Sequence, residues 1–136
     1  MGSTKVTWTG GQTFIGTDST NHSVVLSTPG EGIGMKPSDL LLVALSACTS
    51  VDVVEILTKK KMRPASYEIT ASAEQDSEPP WAFRKIHLKY SLRGDKLTEK
   101  AVEQAIELSE KKYCSVAATI VGVAEVTYEF EILPAE

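Results

Sequence analysis

Residues 37–61, with the sequence PSDLLLVALSACTSVDVVEILTKKK, predict one long helix at the centre of the fold. Proline suits the first helical turn because the N–H that it lacks would have no partner there, so Pro37 marks the start. The carboxylate of Asp39 lies near the positive end of the helix dipole, and the lysines at 59–61 lie near its negative end. These signals predict that the helix begins at residue 37 and ends at residue 61.

The first half of this helix lacks a polar face. Residues 40–48 are apolar except for Ser46, and such a helix is buried on most sides in a soluble protein. Asp52 and Glu55 interrupt the run, which is shorter than the roughly 18 apolar residues of a membrane span. We therefore predict a buried central helix and no transmembrane segment. A chain of 136 residues does not easily cover so apolar a helix, and this favours a homodimer.

One polar stripe follows the same helix, formed by Cys48, Asp52 and Glu55 at spacings of four and three residues. Acids beside a buried cysteine would change its reactivity. Alternatively, the two acids lie where the helix nears the surface and are simply solvated. The residues alone favour this second interpretation.

The composition bounds the class of protein. A chain of 136 residues with 42% apolar and 24% charged residues predicts a single globular domain over residues 1–136. The net charge of −4 argues against nucleic-acid and membrane partners. The first thirty residues lack the apolar core of a secretory signal. We therefore expect a cytoplasmic protein whose thiols are kept reduced.

The chain offers few groups that could hold a metal or a cofactor. Its two cysteines and two histidines lie too far apart along the chain for metal-ligand spacing, and it has no glycine-rich phosphate loop. We expect neither a metal nor a cofactor. In a reducing compartment, Cys48 and Cys114 are either two small buried apolar residues or a redox pair.

The order of elements follows from hydrophobic periodicity. Alternation predicts strands at 4–9, 12–17, 23–27, 66–74, 84–93 and 122–133, and helical spacing predicts further helices at 98–112 and 114–120. The order is βββ-α-ββ-α-α-β, an α+β fold with a mainly antiparallel sheet. The glycine-rich stretch 28–36 is interpreted as a plain mobile connection, with an unusual or closely packed backbone as the alternative.

The predicted elements also assign faces. In the strand at 84–93, one face carries Ile86, Leu88, Tyr90 and Leu92, and His87 points to solvent on the other. The helix at 98–112 is expected to bury Ala101, Val102, Ala105, Ile106 and Leu108. The aromatic pair Trp81 and Phe83, in a proline-rich loop, is either packed down or available to a ligand.

The two cysteines differ in their local surroundings. Cys114 begins the short helix at 114–120, where free N–H groups and the helix dipole lower the pKa of a thiol, and Lys111 and Lys112 add positive charge. Cys48 lies in mid-helix beside acids that would raise its pKa. Local chemistry therefore predicts Cys114 as the better thiolate. The spacing alone does not say whether the two sulfurs meet.

The segment PSDLLLVALSACTSVDVV, then a strand pair, an acidic helix and KYCSV, resembles the OsmC/Ohr family of osmotically inducible and organic hydroperoxide resistance proteins. The resemblance covers nearly the whole chain and is closest to the OsmC-like branch. It implies an intertwined α+β homodimer with two active sites at its interface. It also implies that Cys48 attacks the peroxide and becomes a sulfenic acid, that Cys114 resolves it as a disulfide, and that a dithiol such as a lipoyl group reduces that disulfide.

The chain departs from the family's pattern at two positions. Ser38 stands where the family has a glutamate, ten residues before the first cysteine, and no arginine occurs before Arg63. Arg63, Arg84 or a lysine are candidate replacements for the activating arginine. We predict a thiol peroxidase that reduces small organic hydroperoxides in oxidative-stress defence. The alternative is a dimer that binds small hydrophobic ligands. The family resemblance and the local dipole argument disagree over which sulfur attacks the peroxide. We follow the resemblance, which assigns this role to Cys48.

Overall fold

The computed structural model describes residues 2–134 and divides into two compact units, Met1–Leu41 and Leu42–Glu136. The strands are β1 Lys5–Gly10, β2 Thr13–Thr17, β3 Ser23–Ser27, β4 Ser66–Gln75, β5 Phe83–Arg93 and β6 Glu125–Leu133. The helices are α1 Pro37–Lys59, α2 Glu99–Leu108 and α3 Ser115–Ile120, with a π-helical turn at Ser109–Tyr113 between the last two. The predicted order βββ-α-ββ-α-α-β is confirmed. The π turn was not expected.

The six strands form two three-stranded sheets, where the sequence suggested one. Strands β1, β2 and β3 form an antiparallel meander. Strands β4 and β5 are also antiparallel, but β6 runs parallel to β5. Parallel neighbours need a long crossover, and α2, the π turn and α3 provide it. The arrangement is therefore mainly antiparallel, as predicted.

The glycine-rich stretch after β3 has a defined path in the first unit. The hydroxyl of Ser27 accepts the N–H groups of Gly34 at 2.8 Å and of Ile33 at 3.2 Å. A Cβ atom built on Gly34 would lie 2.6 Å from the carbonyl oxygen of Val25, so only glycine fits. The closely packed backbone is the correct alternative, and the interpretation as a plain connection is wrong.

The core of the second unit lies between β5 and the helices. The predicted inner face of β5 is fully buried, comprising Ile86, Leu88, Tyr90 and Leu92. Helix α2 buries Ala101, Val102, Ala105 and Ile106 against it. Leu108 does not join them, since it is 41% exposed. The prediction for Leu108 is wrong because the buried stripe continues through Ser109, the first residue of the π turn.

Helix α1 ends two residues earlier than the lysine run suggested, at Lys59. The N–H of Met62 donates to the carbonyl of Leu57 at 2.8 Å, and the N–H of Lys61 donates to that of Thr58 at 3.0 Å. With Lys61 in the left-handed region at φ 60°, this is a Schellman ending. It turns Met62 back against the core.

Burial of α1 is confined to one face within the single chain. Leu45, Val53 and Leu57 are fully buried in the core, whereas Val43 is 45% and Val51 65% exposed. By length and composition alone α1 could cross a membrane, so the expectation that its acids exclude this is wrong by that criterion. This is weak support for a span, because the core helix of a soluble protein passes the same test. The buried apolar residues of α1 belong to the same core cluster as those of β5.

Candidate active site around two cysteines

The structure brings the two cysteines together. Cys48 lies half-buried at the middle of α1, and Cys114 is 2% exposed at the residue that caps α3. Both are free thiols. They are close enough that a hydrogen bond between them lowers the pKa of Cys48 and raises the pKa of Cys114. Residues distant in sequence thus form one site, because the π turn and α3 pack against the middle of α1.

Cys48 is the better thiolate of the two. Burial alone would raise its pKa, but hydrogen bonds from the Cys114 side chain, the Val116 N–H and the Ser115 hydroxyl outweigh burial and leave the pKa below its ordinary value. The negative charge of Asp52 opposes them. The prediction from local chemistry is therefore wrong, because the first turn of α3 serves the sulfur of the neighbouring helix.

Cys114 is held as a neutral thiol. Burial and the neighbouring Cys48 raise its pKa to about 11, and the N–H of Ala117, which donates to its sulfur at 3.3 Å, offsets this only in part. A thiol that keeps its proton is a poor nucleophile toward a peroxide. The pair therefore consists of one thiol with a lowered pKa and one with a raised pKa.

The two acids on α1 have different surroundings. Glu55 is exposed and forms an ion pair with Lys59 at 3.1 Å, so the solvated interpretation is correct for it. Asp52 is half-buried and accepts a hydrogen bond from the hydroxyl of Ser109 at 2.8 Å. For Asp52 the solvated interpretation is wrong, because the π turn covers it.

Sequence reasoning missed a chain of hydroxyl groups beneath the cysteines. The fully buried side chains of Tyr90, Thr49 and Ser109 are linked at 3.0 Å and 2.9 Å, and the chain ends on Asp52. The phase of α2 could have indicated Ser109, because a serine follows Ala105 and Ile106 on the same apolar face.

The candidate arginine replacements do not serve the site. Arg84 is paired with Asp76 at 2.9 Å, and neither Arg84 nor Arg63 is among the main contributors to the Cys48 pKa. His87, as predicted, faces away from the core and contacts Thr127 and Glu129. Within residues 2–134, no three histidine, cysteine, aspartate or glutamate residues are grouped so that they could hold a metal ion.

A shallow groove of about 450 Å³ borders the site at Asp52. Its walls combine apolar and charged side chains, namely Asp52, Glu55, Ile56, Lys59, Lys60, Leu108 and Tyr113. Trp81 is exposed in its loop, whereas Phe83 packs against the core. The groove offers a surface for a small amphipathic molecule at Asp52, one helical turn along α1 from Cys48.

Ser115→Ala should raise the pKa of Cys48, because it removes one of the donors to the thiolate. We expect alkylation of Cys48 at neutral pH to slow by about threefold to tenfold, the net value of one typical hydrogen bond. The pH dependence of alkylation, followed by mass spectrometry of the Cys48 peptide, measures this. Thr119→Ala is the control, since its hydroxyl binds the Ser115 carbonyl at 2.8 Å. An equal effect in both variants would assign the change to a loosened α3.

Glu110→Gln should stabilise the fold at neutral pH. Burial raises the pKa of Glu110 from 4.5 to about 6, helped by Glu107 and opposed by Lys111, and its Oε1 lacks a hydrogen-bond partner among residues 2–134. The folded protein thus holds this proton more tightly, and wild-type stability falls as the pH rises from 4.5 to about 6.

Allowing for partial solvent exposure, the variant should gain up to about 1 kcal/mol in free energy of unfolding at pH 7 and nothing at pH 4. Urea unfolding at both pH values tests this. Glu103→Gln, on the exposed side of α2, is the control. A gain of the same size at pH 4 would contradict the titration of Glu110.

Comparisons with known proteins agree with the resemblance found in the sequence. Residues 30–129 match the family model described as OsmC-like protein. Protein YhfA of Escherichia coli strain K12 is 30% identical over 131 residues, covering 96% of this chain and 98% of that protein. A hypothetical protein from Aquifex aeolicus VF5 is 29% identical with a TM-score of 0.89, covering 100% of this chain and 98% of the other.

The fold also matches that of the organic hydroperoxide resistance protein OhrB of Bacillus subtilis, with a TM-score of 0.64 over 95% of this chain and 98% of the other, at 16% identity. At that identity the likeness concerns the fold alone. The match to the family model spans most of the chain, and the similarity to YhfA spans nearly all of it. The chain therefore belongs to the OsmC-like protein family.

Proposed function

We propose that this protein is a thiol-dependent peroxidase that reduces small organic hydroperoxides, with Cys48 as the peroxidatic and Cys114 as the resolving cysteine. The observation that carries the proposal is the division of roles between the sulfurs. The pKa of Cys48 is below its ordinary value, and the pKa of Cys114 is raised to about 11. Redox-active cysteines of this kind combine a thiol of lowered pKa with a neighbouring resolving cysteine.

The reaction follows from this arrangement. The Cys48 thiolate attacks one peroxide oxygen, the O–O bond breaks, and the organic part leaves as an alcohol after taking up a proton. Cys48 is then a sulfenic acid. The thiol of Cys114 displaces its hydroxyl as water and forms the disulfide. A dithiol, with a lipoyl group as one candidate, reduces the disulfide and restores both thiols.

The donors around Cys48 offset the missing arginine. In the family an arginine stabilises the thiolate; here the Cys114 side chain, the Val116 N–H and the Ser115 hydroxyl do so without a formal positive charge. Hydrogen bonds lower the pKa of a thiol less than a nearby cation does. We therefore expect a reaction that is present but slower than in members that carry the arginine.

The setting of this activity is also proposed. A chemistry that starts from free thiols requires a reducing compartment, so we place the protein in the cytoplasm, in defence against oxidative stress.

The exposed apolar stripe of α1, formed by Val43, Ala47 and Val51, supports a homodimer because isolated soluble chains rarely leave such a stripe uncovered. The sequence resemblance to the OsmC/Ohr family, together with the fold shared with the hydroperoxide resistance protein OhrB, supports the substrate class.

Thiol counting after one equivalent of an organic hydroperoxide tests the activity. We expect loss of both thiols and a disulfide between Cys48 and Cys114 in a non-reducing peptide digest. Hydrogen peroxide is the comparison substrate, and dihydrolipoamide should restore both thiols. Two intact thiols after prolonged exposure would reject the peroxidase.

The second candidate is a binding protein for small hydrophobic ligands, and the groove beside Asp52 favours it. Its lining combines apolar side chains with Lys59 and Lys60, which suits an amphipathic anion. Two results together would favour this candidate. The wild type would be inert to hydroperoxides, and a fatty acid would bind with the same affinity to the wild type and to the variant in which both cysteines are replaced by serine.

A further inference from the structure

Ser109 links the helix of Cys48 to the segment of Cys114. Its side chain is fully buried, with Oγ at 2.9 Å from Thr49 Oγ1 and 2.8 Å from Asp52 Oδ2. Its carbonyl oxygen accepts the N–H of Cys114 at 2.7 Å. One residue therefore holds α1 through its side chain and Cys114 through its backbone.

The direction of the hydrogen bonds is set by Asp52. Ser109 has one hydroxyl proton, and an ionised carboxylate can only accept, so the proton points to Asp52. Ser109 Oγ also lies 2.9 Å from Thr49 Oγ1, and Thr49 Oγ1 lies 3.0 Å from the hydroxyl of Tyr90. Each of the three hydroxyls in this buried chain therefore has a hydrogen-bond partner, and such a satisfied network is rigid.

The π turn connects the backbone of Cys114 to Ser109. The N–H of Cys114 reaches back five residues to Ser109, where a regular helix would use the carbonyl of Glu110. The other partners of Ser109 are Thr49, directly after Cys48, and Asp52, one turn further along α1. The link therefore joins the close neighbours of one sulfur to the backbone of the other.

We propose that Asp52 and Ser109 are positioning residues that hold Cys114 within disulfide-forming reach of Cys48. The catalytic step that they serve rests on the proposed function. In that step the Cys48–Cys114 S–S bond forms, the S–OH bond of the sulfenic acid breaks, and the thiol proton leaves with the hydroxyl as water. Neither positioning residue contacts the peroxide.

The test measures how readily the two thiols form a disulfide with each other rather than with glutathione. Equilibration with reduced and oxidised glutathione gives the effective concentration of the Cys48–Cys114 pair without any hydroperoxide. Ser109→Ala and Asp52→Ala should each lower it about tenfold, the value of one hydrogen bond to a charged group. Asp52→Asn keeps an acceptor for Ser109 and should stay within about threefold of wild type.

The matched control is Glu55→Gln on the same helix, whose carboxylate pairs only with the exposed Lys59, and it should leave the effective concentration unchanged. A general loss of structure would slow every reaction of the site. Positioning has a narrower signature in Ser109→Ala, which leaves the charge of Asp52 in place: the Cys48 sulfenic acid persists about tenfold longer after a hydroperoxide pulse while its rate of formation is unchanged.

The proposal is overturned if folded Ser109→Ala and Asp52→Ala keep the effective concentration within about twofold of wild type. Should Ser109→Ala fail to fold, the partly exposed Asp52→Ala decides alone. A wild type that forms the disulfide with glutathione but ignores hydroperoxides retains the positioning role and rejects the peroxidase. A wild type that forms no disulfide in either assay overturns both.

Discussion

Cys48→Ser is expected to lower the rate of organic hydroperoxide consumption by about three orders of magnitude, as removal of a catalytic nucleophile typically does. The remaining thiol, Cys114, is 2% exposed and its pKa is raised to about 11. Burial limits contact with a peroxide, and the raised pKa leaves almost no thiolate at neutral pH. Stopped-flow consumption of tert-butyl hydroperoxide with a dithiol reductant measures the rate.

Cys114→Ser is expected to behave differently. It keeps the nucleophile, so one equivalent of hydroperoxide should yield a sulfenic acid on Cys48 that a dimedone probe traps. Because Cys114 also donates to the Cys48 thiolate, the first oxidation should retain most of its rate if the serine hydroxyl replaces that donor. Both variants need a folding control by circular dichroism. A dimedone adduct on Cys114 in Cys48→Ser would reverse the proposed roles.

The sequence did not reveal which of the two sulfurs has the lower pKa. The dipole argument correctly placed Cys114 at the start of α3, but it assumed that a helix terminus acts on its own first residue. In the structure, the Ser115 hydroxyl and Val116 N–H act on Cys48. Which sulfur benefits depends on how α3 packs against α1, and spacing along the chain carries no such distance.

The elements themselves were predictable because each carries its own periodicity. The alternation of Ile86, Leu88, Tyr90 and Leu92 defines the buried face of β5 without reference to any other segment. Ser109 shows the limit of the same method. A serine on an apolar face has no meaning until Thr49 and Asp52 are known to face it, and a π turn has no periodic signature.

Val43→Asp is expected to dissociate the proposed homodimer while leaving the single chain folded. Val43 is 45% exposed within the chain, so an aspartate there meets solvent in a monomer. In a dimer that covers the stripe, the same carboxylate would be an unpaired buried charge, which costs several kcal/mol. The dissociation constant should therefore rise by about 100-fold or more.

Light scattering and sedimentation at micromolar concentration measure this dissociation. Val51→Asp should have a similar effect, since Val51 lies two turns along the same stripe and is 65% exposed. Val123→Asp is the matched control because Val123 is 64% exposed but lies outside α1. A wild type of 14.7 kDa in solution, with no dimer at any concentration tested, would refute the homodimer.

The dissociated Val43→Asp variant also separates two sources of reactivity. The donors that lower the pKa of Cys48 belong to Cys114, Ser115 and Val116 of the same chain. We therefore expect the pH dependence of Cys48 alkylation to survive dissociation, with a rate at neutral pH within about twofold of wild type. A marked rise of the Cys48 pKa on dissociation would instead require a group from the second subunit at the site. Such a result would show that the thiolate is activated across the interface.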